Sequence, residues 1–153
     1  MVQVWVVMII FAVDQFSFME TIITKYTTDL RTQATHLYSG SEITTDAPLD
    51  NNGKAEFFSP TDLLAAALAS CMLTIMGILG RREGFSIDGT TARVTKIMGN
   101  DPRRIAEVLI ELDFPANNYS DKEKKYIETA AKTCPVAKSL HADLKQTIHF
   151  HYH

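Results

Sequence analysis

The sequence predicts a protein of mixed helices and strands, on three observations. Thr-rich, β-branched segments with partial alternation occupy residues 21–45. The 17 residues from Leu63 to Leu79 include no charge, and Ile105 to Phe114 nearly alternates polar with apolar. Strands grouped in hairpins and separated by helices belong to that class. The 153 residues, 46% of them hydrophobic, suit one globular domain with a real core and are too few for two independent folding units. Fifteen Lys and Arg against eighteen Asp and Glu leave a net charge of -3. That balance argues against binding a phosphate backbone, so no nucleic-acid partner is expected. Two cysteines, Cys71 and Cys134, are too few for a disulfide scaffold or a four-thiolate zinc site.

Val2 to Val13 reads VQVWVVMIIFAV, apolar like the middle of a signal peptide, but no Lys or Arg precedes it and no small-residue cleavage pattern follows before Asp14. It is also short of the roughly 20 residues that a membrane span needs. Met19 opens a different texture, METIITKYTTDL. Residues 1–18 therefore read either as a non-native upstream extension from a mistaken start codon or as an extra strand favoured by Val, Ile and Phe. Residues 19–153 read as a single domain.

ITKYTTDLRTQAT and the segment His36 to Thr45, with a Ser39-Gly40 turn, predict two or three antiparallel strands. DAPLDNNG, Asp46 to Gly53, predicts a loop. Ser59-Pro60-Thr61-Asp62 has the chemistry of a helix start: a capping hydroxyl, a Pro in the first turn, and an acid facing the positive end of the dipole. LLAAALASCMLTIMGIL follows, and a helix apolar on all sides is buried on all sides. Arg81-Arg82-Glu83 at its end, the Ala-rich composition and the charged flanking strands favour the centre of a soluble globule over a membrane. A 153-residue monomer would struggle to cover such a helix, which makes a second copy across a dimer axis attractive. After Gly84, Phe85 to Met98 reads as a strand carrying Arg93 and Lys96, Asn100-Asp101-Pro102 as a turn, and Ile105 to Phe114 as the second arm of a hairpin. Ser120 with Glu123 forms a capping-box signature for an amphipathic helix from Ser120 to Lys132. Thr133-Cys134-Pro135 starts a short helix to about Ala142. Leu144 to Tyr152 closes as a strand, with Ile148, Phe150 and Tyr152 on one face and His149, His151 and His153 on the other.

Cys71, mid-helix among apolar residues, reads by itself as a core cysteine. Cys134 stands at a helix N-cap, where free amides and the dipole favour a thiolate. Together they suggest a reversible disulfide, in which one sulfur is oxidised and the other resolves it. They lie 63 positions apart, so only the fold can bring them together.

Ser59 to Cys71, SPTDLLAAALASC, resembles the S-P-x-[ED]-L-x-x-A-A-x-x-x-C stretch of the OsmC/Ohr family, the osmotically induced and organic hydroperoxide resistance proteins. Cys134-Pro135-Val136-Ala137-Lys138 is similar to that family's C-P-V-[SA]-K block. The resemblance runs from about Ile22 to the end. It implies an α+β, OsmC-like fold: antiparallel sheets wrapped around two long central helices in an intertwined homodimer. It implies a cytoplasmic, cofactor-free peroxidase that reduces organic hydroperoxides and is regenerated by an external dithiol. Cys71 would attack the peroxide and Cys134 resolve it, a conflict with the dipole argument that the resemblance decides for Cys71. Arg31 is the implied stabiliser of the Cys71 thiolate. Thr61 stands where the hydroperoxide branch carries a Glu, and Asp62 is left two roles, acceptor for Arg31 or first-turn helix acid. The departure at Thr61 also opens an alternative, a weakly active or non-enzymatic dimer binding an apolar small molecule between its subunits.

The remaining candidates are weaker. The three alternating histidines could bind a metal but read more simply as a solvated strand face, and His36 and His141 have no evident partners. Arg81-Arg82, Arg103-Arg104 and Lys122 with Lys124 and Lys125 read as solvated charge. Phe57 and Phe58 read as core packing or as the mouth of a pocket.

Overall fold

The computed structural model of the protein describes residues 20–153, and these divide into two units, residues 20–57 and residues 58–153. The extension or strand expected at residues 1–18 lies outside the described residues.

The first unit is a three-stranded antiparallel sheet: β1 (Ile22–Tyr26), β2 (Arg31–His36) and β3 (Glu42–Asp46), in that order. Its β1–β2 turn puts Asp29 and Leu30 at positive φ, 51° and 60°, the backbone that matches a tight hairpin to strand twist. The second turn uses Gly40 at φ 70°, as Ser39-Gly40 predicted. Register places Arg31 directly across from Asp46. The segment expected as a loop contains a short 3-10 turn, Leu49–Asn51.

The second unit is built on the long apolar helix α1 (Pro60–Glu83). Ser59 caps it reciprocally: the hydroxyl accepts from the Asp62 amide at 3.1 Å and the Asp62 carboxylate accepts from the Ser59 amide at 2.8 Å. Gly84, at φ 86°, ends it in the left-handed conformation that favours glycine, and its amide returns to the Gly80 carbonyl at 2.8 Å. Gly80 is needed as well, because a Cβ there would come within 2.6 Å of the Phe85 carbonyl oxygen.

The strand expected from Phe85 begins only at Thr91; residues 85–90 form a turn closed by the Thr90 amide on the Ile87 carbonyl. β4 (Thr91–Asn100) and β5 (Arg103–Phe114) make the antiparallel hairpin, with a register shift at Ile97/Met98. Helices α2 (Asp121–Lys132) and α3 (Pro135–Ser139) follow, α3 stopping short of the expected Ala142. The last strand, β6 (Lys145–Tyr152), pairs with β5 in parallel. This corrects the wholly antiparallel expectation: two helices separate β5 from β6, and a crossover of that length returns the chain in the same direction.

α1 packs on β4 and β5, and α2 and α3 pack on α1. Leu68, Met72 and Met76 of α1 are buried together with Val108, Ile110 and Leu112 of β5 and Ile127 of α2. One end of this core is aromatic. The Phe114 ring stacks on Tyr152 at 4.8 Å between centroids and meets Tyr119 edge-on at 5.8 Å. The Tyr119 hydroxyl donates to the Ser86 carbonyl at 2.8 Å and so ties down the turn after α1.

Candidate functional site

The face of α1 that carries Leu64, Leu68, Cys71 and Ile75 follows from the four- and three-residue spacing of one helical stripe. Leu68 is fully buried and Cys71 partly exposed. Pro135, at the first position of α3, lets Cys134 take the N-cap with extended backbone, and its Sγ accepts from the Ala137 amide at 3.3 Å. The two thiols, 63 positions apart in sequence, are neighbours within hydrogen-bonding reach, and both are free.

Cys134 occupies the N-cap the sequence predicted, but the activated thiolate expected there is overruled. Burial pushes its pKa up, and the neighbouring Cys71 adds to that, outweighing the amides of Ala137 and Val136. Cys134 is 0% exposed, so its sulfur is held as a thiol.

Asp62 serves as a first-turn helix acid. Its carboxylate lies 2.6 Å from Lys96 Nζ, which also donates to Ser59 Oγ and Thr61 Oγ1, each at 2.8 Å. Thr61, at the position of the family Glu, thus receives a lysine. Lys96 was missed by sequence reasoning, although the alternation of β4 contains the signal. Ala92, Val94, Lys96 and Met98 share the less exposed face, so this lysine points the way the apolar residues do. Partial burial works against ionising Asp62. The hydrogen bonds from Lys96 and Ser59, with the charge of Lys96, outweigh it and hold the carboxyl below its usual value. A depressed folded pKa adds stability that is present above the unfolded value and is lost as pH falls through the folded one. Asp62→Asn is therefore expected to destabilise the neutral protein and to flatten the acid limb of stability below about pH 4. Denaturant unfolding at stepped pH checks this, and parallel losses in variant and wild type would exclude Asp62 as a contributor.

In the first unit, Arg31 Nη2 lies 3.4 Å from Asp46 Oδ2 and also pairs with Glu56, while the guanidinium sits 5.2 Å over the Phe57 ring. Asp46 is fully buried and accepts from the Glu56 amide at 3.0 Å. Arg31 thus pairs within the first unit and Asp62 within the second. Arg31 Nε is buried with no hydrogen-bond partner among the described residues. Core packing for Phe57 and Phe58 is not observed: they are 46% and 59% exposed. On the outer face of the second sheet, His149 and His151 flank Glu111 at 2.7 and 2.5 Å, so they hold a carboxylate on the neighbouring strand. No group of three or more His, Cys, Asp or Glu placed to hold a metal occurs among the described residues.

By length and composition α1 could cross a membrane; a third of its most apolar window is buried. A thiol on a core helix facing a second thiol at the cap of a short helix, over a mixed sheet, defines a paired-cysteine α+β protein. The chain belongs to the family of OsmC-like proteins, whose pattern matches residues 53–149. It is similar to a solved Psychrobacter arcticus 273-4 protein assigned to osmotic stress induction and detoxification response, with 55% identity and a TM-score of 0.83, covering 87% of this chain and 96% of that one. An OsmC-like protein of Mycoplasma pneumoniae, at 23% identity and TM-score 0.72, covers 86% of this chain and 96% of its own. An organic hydroperoxide resistance protein of Elizabethkingia anophelis, at 17% identity and TM-score 0.69, covers 88% and 98%. These last two share the fold. Comparison with curated proteins returned no match.

Proposed function

We propose that the protein is a thiol-dependent peroxidase that reduces organic hydroperoxides through Cys71 and Cys134. The observation that carries this reading is the adjacency of two free thiols so distant in sequence, one partly exposed and one buried. The Cys71 thiolate attacks the terminal peroxide oxygen, the O–O bond breaks, and an alcohol leaves. Cys71 is then a sulfenic acid. The Cys134 thiol attacks its sulfur, water leaves, and a disulfide closes. An external dithiol returns the two electrons, and no cofactor takes part. Arg31 is the proposed stabiliser of the Cys71 thiolate, supported by its unpaired Nε and by the acids that hold its guanidinium. Asp62 serves by fixing the start of α1. A reducing compartment such as the cytoplasm suits a pair that must return to two thiols. The test is whether purified protein consumes cumene hydroperoxide with dithiothreitol as reductant; a wild type no faster than Cys71→Ser would refute the reading.

The proposed assembly is a homodimer. Ala67, Ser70, Thr74 and Ile78 are exposed on α1 at helical spacing, an uncharged stripe that a second copy of the helix would cover. Ile78, 58% exposed, is its largest side chain. Ile78→Asp is expected to halve the mass measured by light scattering, and a monomeric wild type would exclude the dimer.

A second reading, a dimer that binds an apolar small molecule without turnover, is favoured by Thr61, which brings a hydroxyl where the family carries a carboxylate. A groove of about 440 Å³ between α1 and α2, floored by Ile75, Leu79 and Ala130, would offer the site. Native mass spectrometry showing a retained apolar ligand, with both thiols inert to peroxide, would select it.

A further inference from the structure

We propose that the reductant attacks Cys71 of the oxidised pair and expels Cys134 as the leaving sulfur. This rests on the redox pair proposed above and adds which sulfur receives the electrons. Thiol–disulfide exchange is controlled by access as well as by acidity. Cys134 is 0% exposed, and its Sγ is tied to the Ala137 amide. Cys71 retains exposed surface on α1. Ile75, one turn beyond Cys71 on α1, lines the open groove between α1 and α2. Thr133 lines the same groove next to Cys134, but the Cys134 sulfur is turned inward and offers the incoming thiol no surface.

One thiolate of the reductant forms a bond to Cys71 Sγ, the Cys71–Cys134 bond breaks, and its electron pair goes to Cys134, which takes up a proton. The Ala137 amide holds the departing sulfur, and protonation completes its departure because burial disfavours a lasting thiolate there. The second thiolate of the reductant then attacks the reductant sulfur of this mixed disulfide, the bond to Cys71 breaks, a cyclic disulfide closes and Cys71 leaves as the thiolate. The reductant loses two electrons and the pair gains them. Cys71 thus meets the oxidant and the reductant in turn, while Cys134 never contacts either.

The test closes the disulfide in the full-length protein with diamide, exposes it briefly to 2-mercaptoethanol, quenches in acid, alkylates with excess N-ethylmaleimide in denaturant at mildly acid pH, where exchange is slow, and maps both cysteines by peptide mass. The expected result is the mercaptoethanol adduct on Cys71 and the alkyl group on Cys134, in about tenfold or greater excess over the reverse. Equal adducts, or an excess on Cys134, would overturn the proposal. A parallel sample uses cumene hydroperoxide in place of diamide. A pair that diamide closes and the hydroperoxide does not would refute the peroxidase while the adduct ratio still decides the point of attack. A pair that diamide cannot close refutes both.

Discussion

Cys71→Ser is expected to abolish hydroperoxide consumption, lowering kcat/KM by on the order of 10³-fold or more, because the other thiol of the site, Cys134, is buried and held protonated. Its counterpart separates attack from resolution. Cys134→Ser should still consume about one equivalent of cumene hydroperoxide and then stall, with a sulfenic acid on Cys71 that dimedone captures. Stopped-flow peroxide consumption with intact-mass analysis reads both. If the two variants fail identically in the first turnover, the division of labour between the cysteines is wrong. If Cys134→Ser turns over like wild type with dithiothreitol, resolution does not require Cys134. The direction of the Cys134 pKa is consistent with this division: burial and the neighbouring Cys71 keep it a thiol.

Phe114→Ala is expected to cost about 3–5 kcal/mol and to lower Tm by roughly 6–20 °C in a chain of this size. Phe114 is 1% exposed and is the largest fully buried side chain of the core. Removing its ring strips partners from Tyr119, Phe150 and Tyr152 together. It also loosens the contact through which Tyr119 holds the Ser86 carbonyl, so the turn after α1 should gain proton exchange. Thermal unfolding followed by circular dichroism measures the first effect and amide exchange at residues 85–90 the second. A loss below about 1 kcal/mol would mean that the aromatic end relaxes to fill the gap.

Local chemistry is why much of this fold was readable. Both capping boxes, Ser59 with Asp62 and Ser120 with Glu123, form as their three-residue spacing demands. The alternation of Ile105 to Phe114 became β5, and that of the last strand put Phe150 and Tyr152 inward with His149 and His151 outward. Phe85 to Thr90 misled because its apolar residues serve the turn: Phe85 packs against Gly80, and Tyr119 claims the Ser86 carbonyl. The parallel direction of β6 was hidden because alternation along a strand is the same whichever way its neighbour runs.

The candidate site divides along the same line. Cys71 and Cys134 could each be found from its own segment, and Lys96 could have been found from the inward face of its strand. What each touches was beyond reach. Asp62 receives Lys96 because β4 lies against the start of α1, and Arg31 receives Asp46 because the register of β2 on β3 sets them opposite. Where helices begin, which strand faces are apolar and which two sulfurs are present follow from local sequence, since caps and periodicity act over three or four residues. The tertiary structure decided that the two sulfurs meet and that Cys134 is the buried one, with its pKa raised. Proximity across 63 residues, and the desolvation that comes with it, exist only once the core has closed around them.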